Sequence, residues 1–316
     1  MNILMAFDDG YVMPSKVMLK SLILNNAPHI YIYILHRNAL SEESIRSVKA
    51  LEDGERVFIS FICVDEKEVF SKFPVDRYPL EAYYRLFAQS FLDESVERIL
   101  WLDGDMIING SLKDFYEQDF GDKLYIAVED MCPAYNEEES RKIHDKLRMP
   151  QNQGYINSGV MLLNLKEIKK RINNNEIIEY IRTNSELLAC ADQDVFNGLL
   201  YPYIKIVDPE FWYNYSAVFI WSRNKKDVYR NAHVIHYAGP EKPWRRGCPN
   251  NAFDLWWKYA RLTDDSLQTL YSEVRPSHMR ENAKRETKLL LRACMPRLYQ
   301  TLRDFKNKHS EAKKDS

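Results

Sequence analysis

The stretch Arg98-Ile-Leu-Trp-Leu102-Asp103-Gly104-Asp105-Met-Ile-Ile108 decides the fold. Apolar residues run on both sides of Asp-Gly-Asp, as in a strand buried on both faces within a parallel sheet. In open α/β sheets the ligand sits at the carboxyl ends of the strands, so this interruption falls where chemistry is done. Two carboxylates spaced i, i+2 can share one hard cation, and Gly104 leaves room between them for a ligand to approach. Paired aspartates also occur in ordinary exposed turns, but the apolar strand in front weighs against that reading.

Upstream, strand and helix patterns alternate. Asn2–Phe7 reads as a buried strand and Asp8-Asp9-Gly10 as a turn. Pro14–Leu24 has helical spacing of Val17, Leu19, Leu22 and Leu24. His29–Leu35 and Val57–Val64 read as strands, Ser41 caps a helix, and Glu81–Leu92 reads as helical. This alternation predicts a parallel sheet covered by helices on both sides. Downstream, Lys123–Val128, Ile156–Leu165 and His233–Ala238 read as further strands and Asp192–Leu200 as a short helix with its cap in Asp192-Gln193-Asp194.

The chain has 316 residues, 45% hydrophobic and 28% charged, with a net charge of −2. These values fit a globular chain and speak against a dedicated nucleic-acid binder. The charge is uneven: from Arg275 to Ser316, 12 Lys/Arg stand against 5 Asp/Glu. Five cysteines without a C-x-x-C pair fit neither a disulfide framework nor a zinc knuckle. The start has no basic n-region or cleavage site, so no signal peptide is expected. No apolar run reaches the roughly 18 residues of a membrane span. A cytoplasmic location is the expectation.

Among the 10 glycines none forms G-x-G-x-x-G or a P-loop, so a phosphate ligand must be held another way. His236-Tyr-Ala-Gly239-Pro-Glu-Lys242-Pro243-Trp244 offers one. Gly239 gives a tight turn, the prolines stiffen it, and Lys242 is a fixed positive charge near His236. Two carboxylates and an imidazole suit Mn²⁺ or Mg²⁺ better than a thiophilic metal. One metal and one ammonium together would offset the charge of a departing diphosphate.

With these motifs the sequence resembles glycosyltransferase family 8 over roughly residues 1–262. The resemblance rests on Ala6-Phe-Asp8-Asp9-Gly-Tyr11, Tyr84-Arg85-Leu86, Leu102-Asp-Gly-Asp105, Tyr155-Ile-Asn157-Ser-Gly159, Asp192-Gln193-Asp194 and His236–Trp244. It implies an α/β GT-A fold with a mixed, mostly parallel sheet, a UDP-galactose or UDP-glucose donor, Mn²⁺ (or Mg²⁺), and retention of anomeric configuration. By motif position, Asp103, Asp105 and His236 would bind the metal. Asp8 would read the uracil and Tyr11 stack on it, with Ala6 and Gly104 also at the donor. Arg85, Asn157, Ser158, Asp192 and Gln193 would line the hexose, while Gly239 and Lys242 hold the diphosphate. Gln193, Asp192 and Lys242 are the expected catalytic groups. Gly10 and Ser158 depart from common family choices, so Gly10 is given no side-chain contact.

Several of these residues have ordinary structural readings too. Arg85 can be a solvated helix residue, Asn157 a turn former, and Asp192 a cap. The aromatic run Phe211–Tyr215, with Phe219 and Trp221, suits either the core or a wall that stacks on an acceptor sugar. Two rivals stand beside the transferase. A haloacid-dehalogenase-like phosphatase carries its D-x-D after the first strand, followed after one residue by Thr or Val, unlike Met106-Ile107. A dead sugar-nucleotide-binding scaffold would not need an intact metal triad.

Residues 1–264 read as the catalytic domain and 265–316 as a helical, basic extension. In the extension Leu291, Met295, Leu298, Leu302 and Phe305 recur at helical spacing among Arg292, Arg297, Arg303, Lys306 and Lys308, with Pro296 marking a second helix start. A basic amphipathic pair suits the anionic inner face of the cytoplasmic membrane and a glycolipid acceptor. The alternative is packing on the body or on a second subunit.

Overall fold

The structure is a computed structural model and describes residues 1–26, 28–37, 40–65, 79–134, 136–207 and 212–295. Its strands are β1 (Asn2–Ala6), β2 (Ile30–His36), β3 (Val57–Cys63), β4 (Arg98–Leu102), β5 (Met106–Ile108), β6 (Tyr125–Glu129), β7 (Ile156–Asn164), β8 (Ile204–Val207), β9 (Tyr215–Ser216) and β10 (Val234–His236). Seven of them form one sheet in the order β3-β2-β1-β4-β7-β6-β8. The pairs β1–β2, β2–β3, β1–β4 and β6–β8 are parallel, and β7 runs antiparallel to both neighbours. This is the mixed, mostly parallel α/β sheet of the GT-A expectation.

Period-2 alternation explains why both faces must be covered. Leu4, Ile99, Trp101, Met161 and Leu163 enter one core with Tyr84 and Phe87. Ile3, Met5, Leu100, Leu102, Val160 and Leu162 enter a second core with Met18, Leu19 and Leu22 of the helix Val12–Asn25. A third core gathers Ile107, Ile235, Tyr237, Trp256, Trp257 and Val274. It joins the small sheet β5-β10-β9 to the helix Phe253–Thr263 and the long helix Leu267–Cys294.

Some expectations need correction. Arg98–Ile108 is two strands in two different sheets, because the chain leaves β4 at Asp103 and enters β5 after Asp105. Leu80–Ser90, within the stretch expected to be helical, winds as a 3₁₀ helix with a break at Phe87, and nine of its residues are buried. The helix Ala191–Gly198 has Cys190 at its N-cap position without a side-chain cap bond, and Asp192 and Asp194 lie in its first turn. Ser41 caps Glu42–Lys49 as expected, accepting from the Ser44 N–H.

The long C-terminal helix is docked from Leu267 to Glu286. Val274 is buried, His278 stacks on Phe253 at 3.8 Å, and the Arg285 guanidinium lies 4.4 Å from the Trp221 ring. Met279 and Leu290 face outward. The expected second helix from Pro296, with Leu298, Leu302 and Phe305, lies outside the described residues. Among the described residues no helix is long and apolar enough to cross a membrane.

Candidate active site

The carboxyl ends of β1, β4 and β6 and the start of antiparallel β7 meet at one edge of the large sheet. The small sheet closes this edge. Antiparallel pairing of His236 with Met106 sets the imidazole beside Asp105, and the Tyr237 N–H donates to the Asp105 carbonyl at 2.9 Å. One ligand atom each from Asp103, Asp105 and His236 fits within 4.8 Å of the others. The His236 Nε2 lies 3.3 Å from Asp105 Oδ1 and 3.9 Å from Asp103 Oδ2. Two carboxylates and one imidazole converging on a single small volume form a candidate site for a metal ion.

Two glycines serve this geometry sterically. A Cβ at Gly159 would stand 2.6 Å from His236 Cε1 and 2.9 Å from Asp103 Oδ2, inside the triad. A Cβ at Gly104 would meet Ser15 Oγ at 2.3 Å. Gly104 also borders the cavity, so its bare backbone faces both the helix packed behind it and the space a ligand would enter.

Arg85 is not a solvated helix residue. It is buried, and its Nη2 lies 2.8 Å from Asp103 Oδ1 while its Nε lies 3.0 Å from Asp192 Oδ2. Nη1 donates to the Ser158 carbonyl, and the guanidinium lies 4.4 Å from the centre of the Trp101 ring. The β6–β7 register shifts between Ala127 and Val128, next to the residues that carry this carbonyl. Trp101 Nε1 donates to the same Asp103 Oδ1 at 2.9 Å.

Ala6, Asp8, Tyr11, Arg85, Asp103, Gly104, Asp105, Asn157, Ser158, Asp192, Gln193, His236 and Gly239 all border one cavity of about 540 Å³. Lys242 joins them through its ion pair with Asp105. Thus every site residue expected from sequence is brought to one place. Asp8 caps the 3₁₀ turn Asp9–Tyr11, accepting from the Tyr11 N–H at 3.1 Å. Trp212 and Tyr215 stack at 5.0 Å and stay partly exposed, whereas Tyr213 is buried, so the aromatic run divides between core and surface. Phe211 lies outside the described residues.

Residues 2–248 match the sequence profile of the family described as Glycosyl transferase family 8. The chain belongs to glycosyltransferase family 8. Lipopolysaccharide 1,2-glucosyltransferase of Escherichia coli is 23% identical over 250 residues, which are 77% of this chain and 73% of the relative. Glycosyltransferase GlyF of Streptococcus pneumoniae is 23% identical over 301 residues, 92% of this chain and 68% of the relative. The crystal structure of the galactosyltransferase LgtC with donor and acceptor sugar analogues superposes with a TM-score of 0.71 at 25% identity, covering 85% of this chain and all of that one.

In this family 8 transferase the charges around the cavity hold one another. Burial works to raise the Asp105 carboxyl, but His236 and Lys242 outweigh it and hold the group below the usual carboxylate range. Burial likewise opposes the Lys242 ammonium, and Asp105 beside it raises its pKa above the ordinary value. Burial pushes Asp192 up to about 6, against the pull of Arg85, whose charge is shared with Asp103. Two polar residues absent from the sequence-based set complete the site. Asp130, just beyond β6, accepts from Asn157 Nδ2 at 2.9 Å and from Gln193 Nε2 at 3.3 Å. Asn214 lies between Asn157 and His236. The rule that polar residues at strand ends carry chemistry would have found Asp130; no local signal marks Asn214.

Proposed function

We propose that the protein is a retaining hexosyltransferase, moving an α-linked galactose or glucose from a UDP-sugar to a saccharide or glycolipid acceptor of the cell envelope. The observation that carries this reading is the meeting of Asp103, Asp105, His236 and Lys242 with Arg85, Asp192 and Gln193 at one cavity. The named activities of the Escherichia coli glucosyltransferase and of the galactosyltransferase LgtC support either hexose, and the former supports an envelope glycan as acceptor.

Asp103, Asp105 and His236 would hold Mn²⁺ or Mg²⁺, which when bound supplies charge neutralisation at the diphosphate. Lys242 adds a fixed positive charge to the leaving group. Asp8 and Tyr11 bind the uracil, with Ala6 and Gly104 at the donor floor and the Gly239 backbone at the diphosphate. Arg85, Asn157, Ser158, Asp192 and Gln193 orient the hexose. The anomeric C–O bond breaks with its electron pair going to UDP. The acceptor hydroxyl oxygen bonds to the same face of the anomeric carbon, and its proton leaves with the diphosphate. Gln193 or Asp192 faces the positive charge that develops on the sugar.

The testing experiment is UDP release from UDP-galactose and UDP-glucose in Mn²⁺, with and without EDTA. Metal-dependent release from one of them is expected. No release from either, or hydrolysis of a phosphomonoester in its place, overturns the reading. Lys242→Ala is expected to lower kcat by about 10²-fold while donor affinity changes less, because the leaving charge grows in the transition state. A change confined to KM for the donor would assign Lys242 to ground-state binding.

The basic C-terminal region is proposed to hold the enzyme on the anionic inner face of the cytoplasmic membrane. Arg275, Arg280, Lys284 and Lys288 are exposed on the long helix, beside outward-facing Met279 and Leu290. Each basic residue near such a surface contributes about 1 kcal/mol. Changing Arg280, Lys284 and Lys288 together to Gln should therefore weaken co-sedimentation with anionic vesicles by about 10²-fold and leave turnover of a soluble acceptor intact. Unchanged vesicle binding would return the helix to a purely packing role.

A further inference from the structure

A line of hydrogen bonds runs from Asp130 to His236, and its polarity follows from groups with no choice of role. The Gly159 backbone N–H can only donate, and it reaches Asn157 Oδ1 at 3.0 Å. Asn157 Nδ2 faces the Asp130 carboxylate at 2.9 Å. Turning this amide over would set donor against donor at Gly159 and acceptor against acceptor at Asp130, so its orientation is fixed twice. Asn157 Oδ1 uses its second lone pair to accept from Asn214 Nδ2 at 2.9 Å. The Asn214 oxygen must then point the other way, and it faces His236 Nδ1 at 3.1 Å. An oxygen there demands a proton on Nδ1. In the neutral ring Nε2 is consequently bare, aimed at Asp105 Oδ1 and Asp103 Oδ2.

We infer that Asn214 is a positioning residue that fixes the His236 tautomer and ring orientation so that Nε2 is presented as a cation ligand. The inference rests on the reading of Asp103, Asp105 and His236 as a cation site. With Nδ1 protonated, Nε2 faces two carboxylates that need a positive partner between them, a proton in the metal-free ring or the cation when it is bound, so Asn214 presents Nε2 to the triad. The partner beyond a metal-ligating histidine is a common place for such control, and its loss typically costs 10–100-fold in metal affinity. Asn214 is well placed for this. It is buried, and its backbone is held where the N–H groups of His233 and Val234 both donate to the Trp212 carbonyl. The same line ends on Asp130, which also accepts from Gln193, so metal ligand and sugar-facing amide share one anchor.

The test uses the full chain with Asn214→Leu and Asn214→Asp. Leucine fills the space and cannot accept a hydrogen bond, whereas aspartate keeps an acceptor for Nδ1–H. Binding of Mn²⁺ in the presence of UDP is followed by the EPR signal of free Mn²⁺, and the imidazole nitrogens of His236 are followed by ¹⁵N NMR in metal-free protein. The expected result is Nδ1–H in the neutral wild-type ring, loss of that preference in Asn214→Leu, and about 10–100-fold weaker Mn²⁺ binding by that variant. Asn214→Asp keeps the acceptor for Nδ1–H but loses the donor to Asn157 Oδ1, so it should keep the tautomer and recover part of the wild-type affinity. An Nε2–H ring in the wild type, or wild-type Mn²⁺ affinity in Asn214→Leu, overturns the inference. A purely space-filling role would make the buried, charged aspartate no better than leucine. Wild type that binds no Mn²⁺ defeats the cation reading itself, and the metal-free spectra then still decide the tautomer.

Discussion

Asp105→Ala should lower turnover by roughly 10³-fold at saturating Mn²⁺ and donor, the upper end of what one lost oxyanion stabiliser costs. The magnitude follows from position. Asp105 is 8% exposed and stands between His236 Nε2 and the Lys242 ammonium. Removing it deletes one ligand of the proposed cation and at the same time frees Lys242 from its anchor. Both positive charges proposed to face a departing diphosphate are then misplaced, in a site where little water can replace them. Buried Lys242 also loses its counterion, so folding must be checked. Asp105→Asn keeps the volume and removes only the charge, and the thermal unfolding of both variants separates a lost fold from a lost reaction. Near-normal turnover by a folded variant would remove Asp105 from the mechanism.

The parts of this site that were legible in sequence are those whose signal is local. The apolar run into Asp103-Gly-Asp105 announces a strand end, and His236 to Lys242 is a stiff loop whose charges can be read in order. The alternation through β1 to β4 predicts covering on both faces, and the two cores confirm it. What was not legible depends on contacts far apart in the chain. Antiparallel β7 brings Asn157 and Ser158 to the ends of parallel strands, and its direction is set by how the chain returns rather than by its composition. Asn214 gains its role only by lying between residues 57 positions upstream and 22 downstream. Taken alone, Arg85 could also be read as solvated, because its partners Asp103 and Asp192 are 18 and 107 residues away and burial is a property of the assembled sheet. Gly104 was legible as a site residue, whereas its closeness to Ser15 on the helix Val12–Asn25 was not.

Arg85→Met should destabilise the metal-free protein by about 3–5 kcal/mol near neutral pH, the range found when one partner of a buried ion pair is removed. Methionine keeps the unbranched length and apolar contact with Trp101, so the loss reports mainly the guanidinium. That group neutralises Asp103 at 2.8 Å and Asp192 at 3.0 Å and satisfies the Ser158 carbonyl. The pH dependence identifies which partner matters. Asp192 already lies at about 6 in the folded protein against an ordinary 3.8, because burial disfavours its charge and Arg85 only partly offsets that. Without Arg85 it must rise further. A carboxyl whose folded pKa is raised holds its proton in the native state where the unfolded chain has released it. Stability is therefore highest below the unfolded value and falls as pH rises through the folded one. The deficit of Arg85→Met should be largest at about pH 7 and shrink toward about pH 4, where Asp192 is protonated in the folded protein with or without Arg85. Urea unfolding of EDTA-treated wild type and variant at both pH values measures it. An equal deficit at both would place the loss in the hydrogen bonds to Ser158 and Asp103, and would remove the charge of Asp192 from the account.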